Sequence, residues 1–170
     1  SATRLSSVKE RNERPGAVGI TFRHLAMLAQ IRSSDDEVWG MIPNEGVDRG
    51  EFNARLGRMR HWIASDHFPD EMRVGIREAP NAERLADLSD EEEALRLALI
   101  RNFEASLEAG WNEANLSANV PDAAREVDLP LREAYKLTYE LLLGVDVAPK
   151  LAPLLAAMEP KRVLRLMRGA

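Results

Sequence analysis

Cysteine is absent from the 170 residues, which excludes disulfide staples, thiolate zinc sites and a catalytic thiol. No run of about 18 apolar residues occurs, so the sequence holds no candidate transmembrane helix. No basic-then-apolar signal peptide opens it. A nucleophile elbow of the Gly-x-Ser-x-Gly kind is missing. Gly16-Ala17-Val18-Gly19 lacks both the following Lys-Ser/Thr and the preceding strand of a phosphate loop. Histidine is scarce: His24, His61 and His67 are the three in the chain. The last two stand six apart, which is not the i, i+4 spacing of a helical zinc site. A metal site is therefore rejected, and no catalytic residue is expected. An initiator methionine is lacking too. The opening Ser1-Ala2-Thr3 is expected of a piece cut from a longer protein.

What is present is ordinary globular material, 45% hydrophobic and 30% charged with a mean hydropathy of −0.33. The length fits one domain, or at most two small helical subdomains, able to bury roughly 70% of the unfolded surface. A net charge of −5 argues against a generic nucleic-acid binder, since such domains are usually basic. The charge is uneven, however. Residues 1–32 carry six Lys/Arg against two Glu, and residues 35–48 carry five acids and no base. Residues 78–93 carry seven acids against Arg84, whereas Lys161, Arg162, Arg165 and Arg168 close the chain with no acid among them. An acidic body with a local basic face can still bind an anion.

Residues 1–17 end in Arg14-Pro15-Gly16, a breaker pair, and read as a linker or disordered lead-in. Beyond them the periodicity is helical throughout. Thr21 caps a helix with Phe22, Leu25, Leu28 and Ala29 on one stripe. Ser34 starts a short helix that Pro43 stops. Asp48 caps a longer helix over 48–66, in which Phe52, Leu56, Met59 and Ile63 form the core stripe with Trp62 at its edge. Phe68-Pro69 ends that helix, and Met72 to Pro80 reads as an extended connector. Ser89 and Glu92 make a capping box ahead of Leu95, Leu99, Phe103 and Leu107, and Gly110 closes the helix. A weaker helix is expected over 111–124, with Trp111, Leu116 and Val120 as its apolar side. Asp128 and Pro130 then open a helix that stops at Gly144. Two short helices over 150–158 and 160–168 complete an all-α chain. No segment alternates with period two, and no repeat points to a solenoid.

Acidic Asp90 to Glu93 lie in the first turn of a capped helix, where they complement the helix dipole rather than form a catalytic pair. Most aromatics fall on helical core stripes and read as core rather than as stacking platforms. Basic surface remains the chemistry on offer. In the last helix the four cations fill one arc while Val163, Leu164, Leu166 and Met167 fill the opposite one, although cations in a final helix also complement its dipole. Arg49, Arg55, Arg58 and Arg60 splay onto both flanks of the 48–66 stripe.

The order of blocks carries a resemblance. Tyr135-Lys136-Leu137-Thr138-Tyr139-Glu140-Leu141-Leu142-Leu143-Gly144, then Val145 to Lys150, Leu151 to Met158 and Pro160 to Met167 resemble the end of the α-helix-cage anticodon-binding domain of class I lysyl-tRNA synthetases. Glutamyl-tRNA synthetases share a version of this ending. Thr21-Phe22-Arg23-His24-Leu25 is similar to the opening of the lysyl enzyme's domain, and Trp62-Ile63-Ala64 through Phe68-Pro69 to its long-helix exit. The similarity covers roughly residues 18–168 in block order. Ala148-Pro149 departs from it where that family has Gly-Pro, and the HIGH-type and KMSKS-type motifs of the catalytic domain do not occur.

The resemblance implies that residues 18–170 are a cytoplasmic tRNA-anticodon module. Its partners would be tRNA and an upstream catalytic domain of the parent chain, which would bring ATP and magnesium; this stretch would hold no cofactor. Anticodon loops are single-stranded, so recognition needs cations for phosphates and side chains for splayed bases. The expected phosphate contacts are Arg55, Arg58, Lys161, Arg162 and Arg165. The competing expectation is an all-α protein-interaction module whose terminal basic arc meets an acidic partner, such as the 78–93 segment of another copy.

Overall fold

The computed structural model describes residues 20–144 and 149–169. The predicted lead-in over 1–17 and most of the turn over 145–149 lie outside them. The fold is all-α, and the chain divides into two compact units, Ser1–Arg73 and Val74–Ala170.

In the first unit, α1 (Phe22–Ile31) starts where the Thr21 hydroxyl accepts from the His24 N–H. α2 (Asp35–Gly40) starts under Ser34, and α3 (Arg49–Ile63) starts where Asp48 accepts from the Glu51 N–H. Each cap satisfies a donor that the first turn cannot. α1 packs on α3, burying Leu25, Leu28, Phe52, Leu56 and Met59. Arg60 of α3 binds this unit together. It donates to the carbonyls of Ala29 (2.8 Å) and Arg32 (3.0 Å) at the end of α1, and pairs with Asp35 at 2.9 Å in the first turn of α2. A 3-10 turn (Asp70–Met72) is held by Gln30, whose amide donates to the Met72 carbonyl at 2.8 Å.

α3 ends at Ile63, before the expected stop at Phe68-Pro69. The Ser65 hydroxyl donates to the Trp62 carbonyl at 2.7 Å and accepts from the His67 N–H. That local bonding replaces the helical ladder.

The second unit opens with an extended stretch joined to the end of α8 (Leu131–Leu142) by an Ile76–Leu143 bridge. The Arg77 N–H donates to the Leu142 carbonyl and the Gly144 N–H to that of Gly75, both at 2.8 Å. A short helix, α4 (Ala82–Ala86), follows, then α5 (Asp90–Ala109) with both arms of the Ser89–Glu92 capping box in place. Leu95, Leu99 and Phe103 are fully buried. Leu107, expected on the same stripe, is 48% exposed, because a stripe at spacing four drifts about 40° per step off the core face.

The segment expected as one helix over 111–124 is two, α6 (Glu113–Leu116) and α7 (Asn119–Val127). Trp111 precedes both, and its indole N–H donates to the Leu155 carbonyl at 2.8 Å. Asn119 turns inward to Ser106 of α5, their amide and hydroxyl 2.9 Å apart, which meets the polar needs of two buried groups.

Asp128, expected to open α8, instead closes α7 in the left-handed region at φ 56°, with the Leu129 N–H reaching back to the Ala124 carbonyl. Asp tolerates that conformation better than most residues. α9 (Leu151–Ala157) and α10 (Pro160–Arg168) follow, with α7, α8 and α10 packed on α5.

Arg84 links Glu92 of α5 and Glu140 of α8, and hydrogen bonding from Arg84 is the main cause that holds the Glu92 carboxyl below the usual carboxylate range. Arg96 does the same for Glu93 and also donates to the carbonyls of Met167 and Arg168, closing α10. A carboxyl with a lowered folded pKa contributes stability above its unfolded value of about 4.3, and that contribution disappears as pH falls through the folded value. Thermal melts of the chain and of Glu92→Gln should therefore differ most near neutral pH, the native chain being the more stable. The gap should close between about pH 5 and pH 2.

Candidate nucleic-acid interface

The two flanks of α3 meet different fates. Arg49 and Arg60 point to one side, where the acidic run supplies Asp36 and Asp35 as partners; Arg49 also lies over the Trp39 ring, 5.2 Å from its centroid. Arg55, Arg58 and Trp62 occupy the other side at i, i+3 and i+7, one face of the helix. Glu51 stands one turn before Arg55, yet neither arginine forms an ion pair among the described residues. Arg55 donates once, to the Ile20 carbonyl at 3.3 Å. Arg58 has no hydrogen bond or ion pair among the described residues. Burial, and then the positive charge of Arg58, lowers the Arg55 pKa. Two guanidinium groups held together without a counter-charge form an anion-seeking surface.

These two arginines line a depression with Phe22, Met59 and Trp62. The Phe22 ring sits 5.2 Å from Trp62 at 48°, and Trp62 meets the buried Phe68 ring edge-on at 4.8 Å. Phe22 is 49% exposed. Phe68 is buried as its core assignment expects, whereas Phe22, expected on a core stripe, is surface; its first-turn position beside the cap, at the exposed N-terminal end of the helix, is the signal that could have marked it so.

The expected cations of α10 also come together, and Lys161, Arg162 and Arg165 share a second depression. Their surroundings differ from those of the α3 pair. Arg162 donates through Nε and Nη2 to the Arg77 carbonyl at 3.2 and 2.8 Å, and Arg165 donates to the Glu78 carbonyl at 2.6 Å. Glu78 and Glu159 line the same depression. Arg168, the fourth cation of the arc, pairs with Glu104 of α5 at 2.6 Å. This face therefore fastens the last helix to the extended stretch, leaving Lys161 and the remaining Arg165 donors outward. Of the acidic run over 78–93, Glu92 and Glu93 are paired internally with Arg84 and Arg96, whereas Glu83, Asp87, Asp90 and Glu91 are exposed. Among the described residues no group of three or more His, Asp or Glu could hold a metal ion, and no helix is long and apolar enough to cross a membrane.

The chain is similar to lysine–tRNA ligases. It is 28% identical over 166 residues to the lysine–tRNA ligase of Methanopyrus kandleri, covering 88% of this chain and 29% of that protein. The enzyme of Treponema pallidum is 26% identical over 152 residues, 87% of this chain and 28% of its own length. That of Thermococcus kodakarensis is 26% identical over 159 residues, 86% and 28% respectively. The chain thus spans under a third of the relatives it matches. No family model matches it.

The two basic sites should separate in a stability assay. Arg162→Ala removes two charge-assisted bonds to a carbonyl and should cost about 1–3 kcal/mol. Arg58→Ala removes no partner and should leave the melting temperature within error of the parent chain. Paired thermal melts measure both.

Proposed function

We propose that the chain is the tRNA-reading portion of a class I lysine–tRNA ligase. In this reading residues 18–170 form an anticodon-binding module of the α-helix-cage type, which positions tRNA for a catalytic domain elsewhere in the parent protein. The observation that carries the reading is the similarity to lysine–tRNA ligases across 86–88% of the chain. The uncompensated Arg55 and Arg58 support it, because RNA binding needs fixed cations facing outward. Lys161 and the free donors of Arg165 supply a second phosphate contact, and Arg162 shapes that contact by holding its helix in place.

No bond is made or broken by this chain's own residues. Its work is positioning: cations fix the phosphate backbone, and unpaired bases are read by side chains between them. ATP and magnesium belong to the catalytic domain of the same parent, and the compartment is the cytoplasm, where tRNA is charged.

Fluorescence anisotropy of the chain with lysine tRNA transcript tests the reading, with an anticodon-loop mutant and an unrelated tRNA as controls. Affinity should fall with salt and with the anticodon change. Arg55→Ala combined with Arg58→Ala should weaken binding and reduce the slope of log K against log salt by about 1.4. Binding that ignores both the anticodon and tRNA identity overturns the anticodon role. Absence of binding at low salt, with self-association of the chain, favours the protein-interaction alternative.

A further inference from the structure

We propose that Phe22 and Trp62 form a stacking platform for one unpaired nucleobase, with Arg55 and Arg58 holding the phosphates that flank it. The inference rests on the tRNA reading and assigns its base contact to the first unit.

Three observations converge on this depression. The first is an aromatic ring where a core residue is not needed: Phe22 is half exposed at the mouth of the depression. The second is rigidity. Trp62 is fixed between Phe22 and Phe68, and Phe68 itself is 3% exposed. The rings are set before a ligand arrives, so little order remains to be gained on binding. The third is charge. Arg55 and Arg58 stand one turn apart on the face that carries Trp62, and neither forms an ion pair among the described residues.

An apolar ligand would leave the two guanidinium groups without a counter-charge, and a bare anion would leave the rings unused. A nucleotide satisfies both, presenting a flat π-face and a phosphate a few ångströms away. The base must be unpaired, because one stacked inside a duplex cannot turn its face to protein. Stacking of this kind tolerates any base, so the platform supplies affinity and register, while identity is read by other groups.

Lysine tRNA transcripts carrying 2-aminopurine at one loop position at a time report the stack directly, since that base loses fluorescence when an aromatic ring covers it. Binding of the intact chain should quench one position and leave the others bright. Phe22→Ala should abolish the quench and weaken binding about tenfold, and Phe22→Tyr should restore both. Circular dichroism checks that the variants fold, as expected for a half-exposed residue. Arg58→Ala should weaken binding yet retain the quench at saturation.

If tRNA binds with its anticodon dependence intact but no position is quenched, or Phe22→Ala binds like the parent, the platform is wrong and the tRNA reading stands. If tRNA does not bind at low salt, the tRNA reading fails and the platform falls with it.

Discussion

Short helices leave a large share of their carbonyl oxygens without a partner, because the last four of each helix have no donor within it. This chain meets that demand with long side chains from neighbouring helices. Arg60 closes α1, Arg96 closes α10, and the Trp111 indole closes α9. Each such bond fixes the end of one helix against the body of another, so satisfying the backbone and positioning the helix are one event. A guanidinium is suited to this work because its donors lie in one plane and can serve two carbonyls and a carboxylate at once.

The same demand sorts the cations into those with internal work and those without. The acidic segment ahead of α3 neutralises Arg49 and Arg60, and the acidic start of α5 engages Arg84 and Arg96. A net charge of −5 is therefore a poor guide to the surface. Many carboxylates are matched within the fold, and the opposite flank of α3 keeps two cations that form no ion pair among the described residues.

The local features were legible in the sequence. Thr21, Ser34, Asp48 and the Ser89–Glu92 box each start a helix at the expected residue, because capping depends on side chains within three positions of the cap. The all-α class followed from periodicity. Features set by partners distant in the chain were not legible. Asp128 becomes a left-handed closing residue only because α7 ends there. The break at Ser117–Ala118, which lets Asn119 start α7 facing Ser106, depends on that distant partner. The clustering of Phe22 with Trp62 depends on how α1 crosses α3, and helical spacing alone puts Phe22 on a core stripe and Trp62 at the edge of another. The five expected phosphate contacts do fall into two groups, but their hydrogen-bond partners, which separate Arg58 from Arg162, could not be read from composition.

The extended stretch at the start of the second unit takes its side-chain donors from the end of the chain. Arg162 and Arg165 reach the carbonyls of Arg77 and Glu78 across separations of 85 and 87 residues. A nascent chain emerging from the ribosome can form α5, with its capping box, from local sequence alone. It cannot fasten residues 77 and 78 until α10 has been made. Closing so long a loop is entropically costly until the intervening helices have packed. The final helix is thus the clasp of this unit during synthesis, and its arginines join the first residues of the unit to the last.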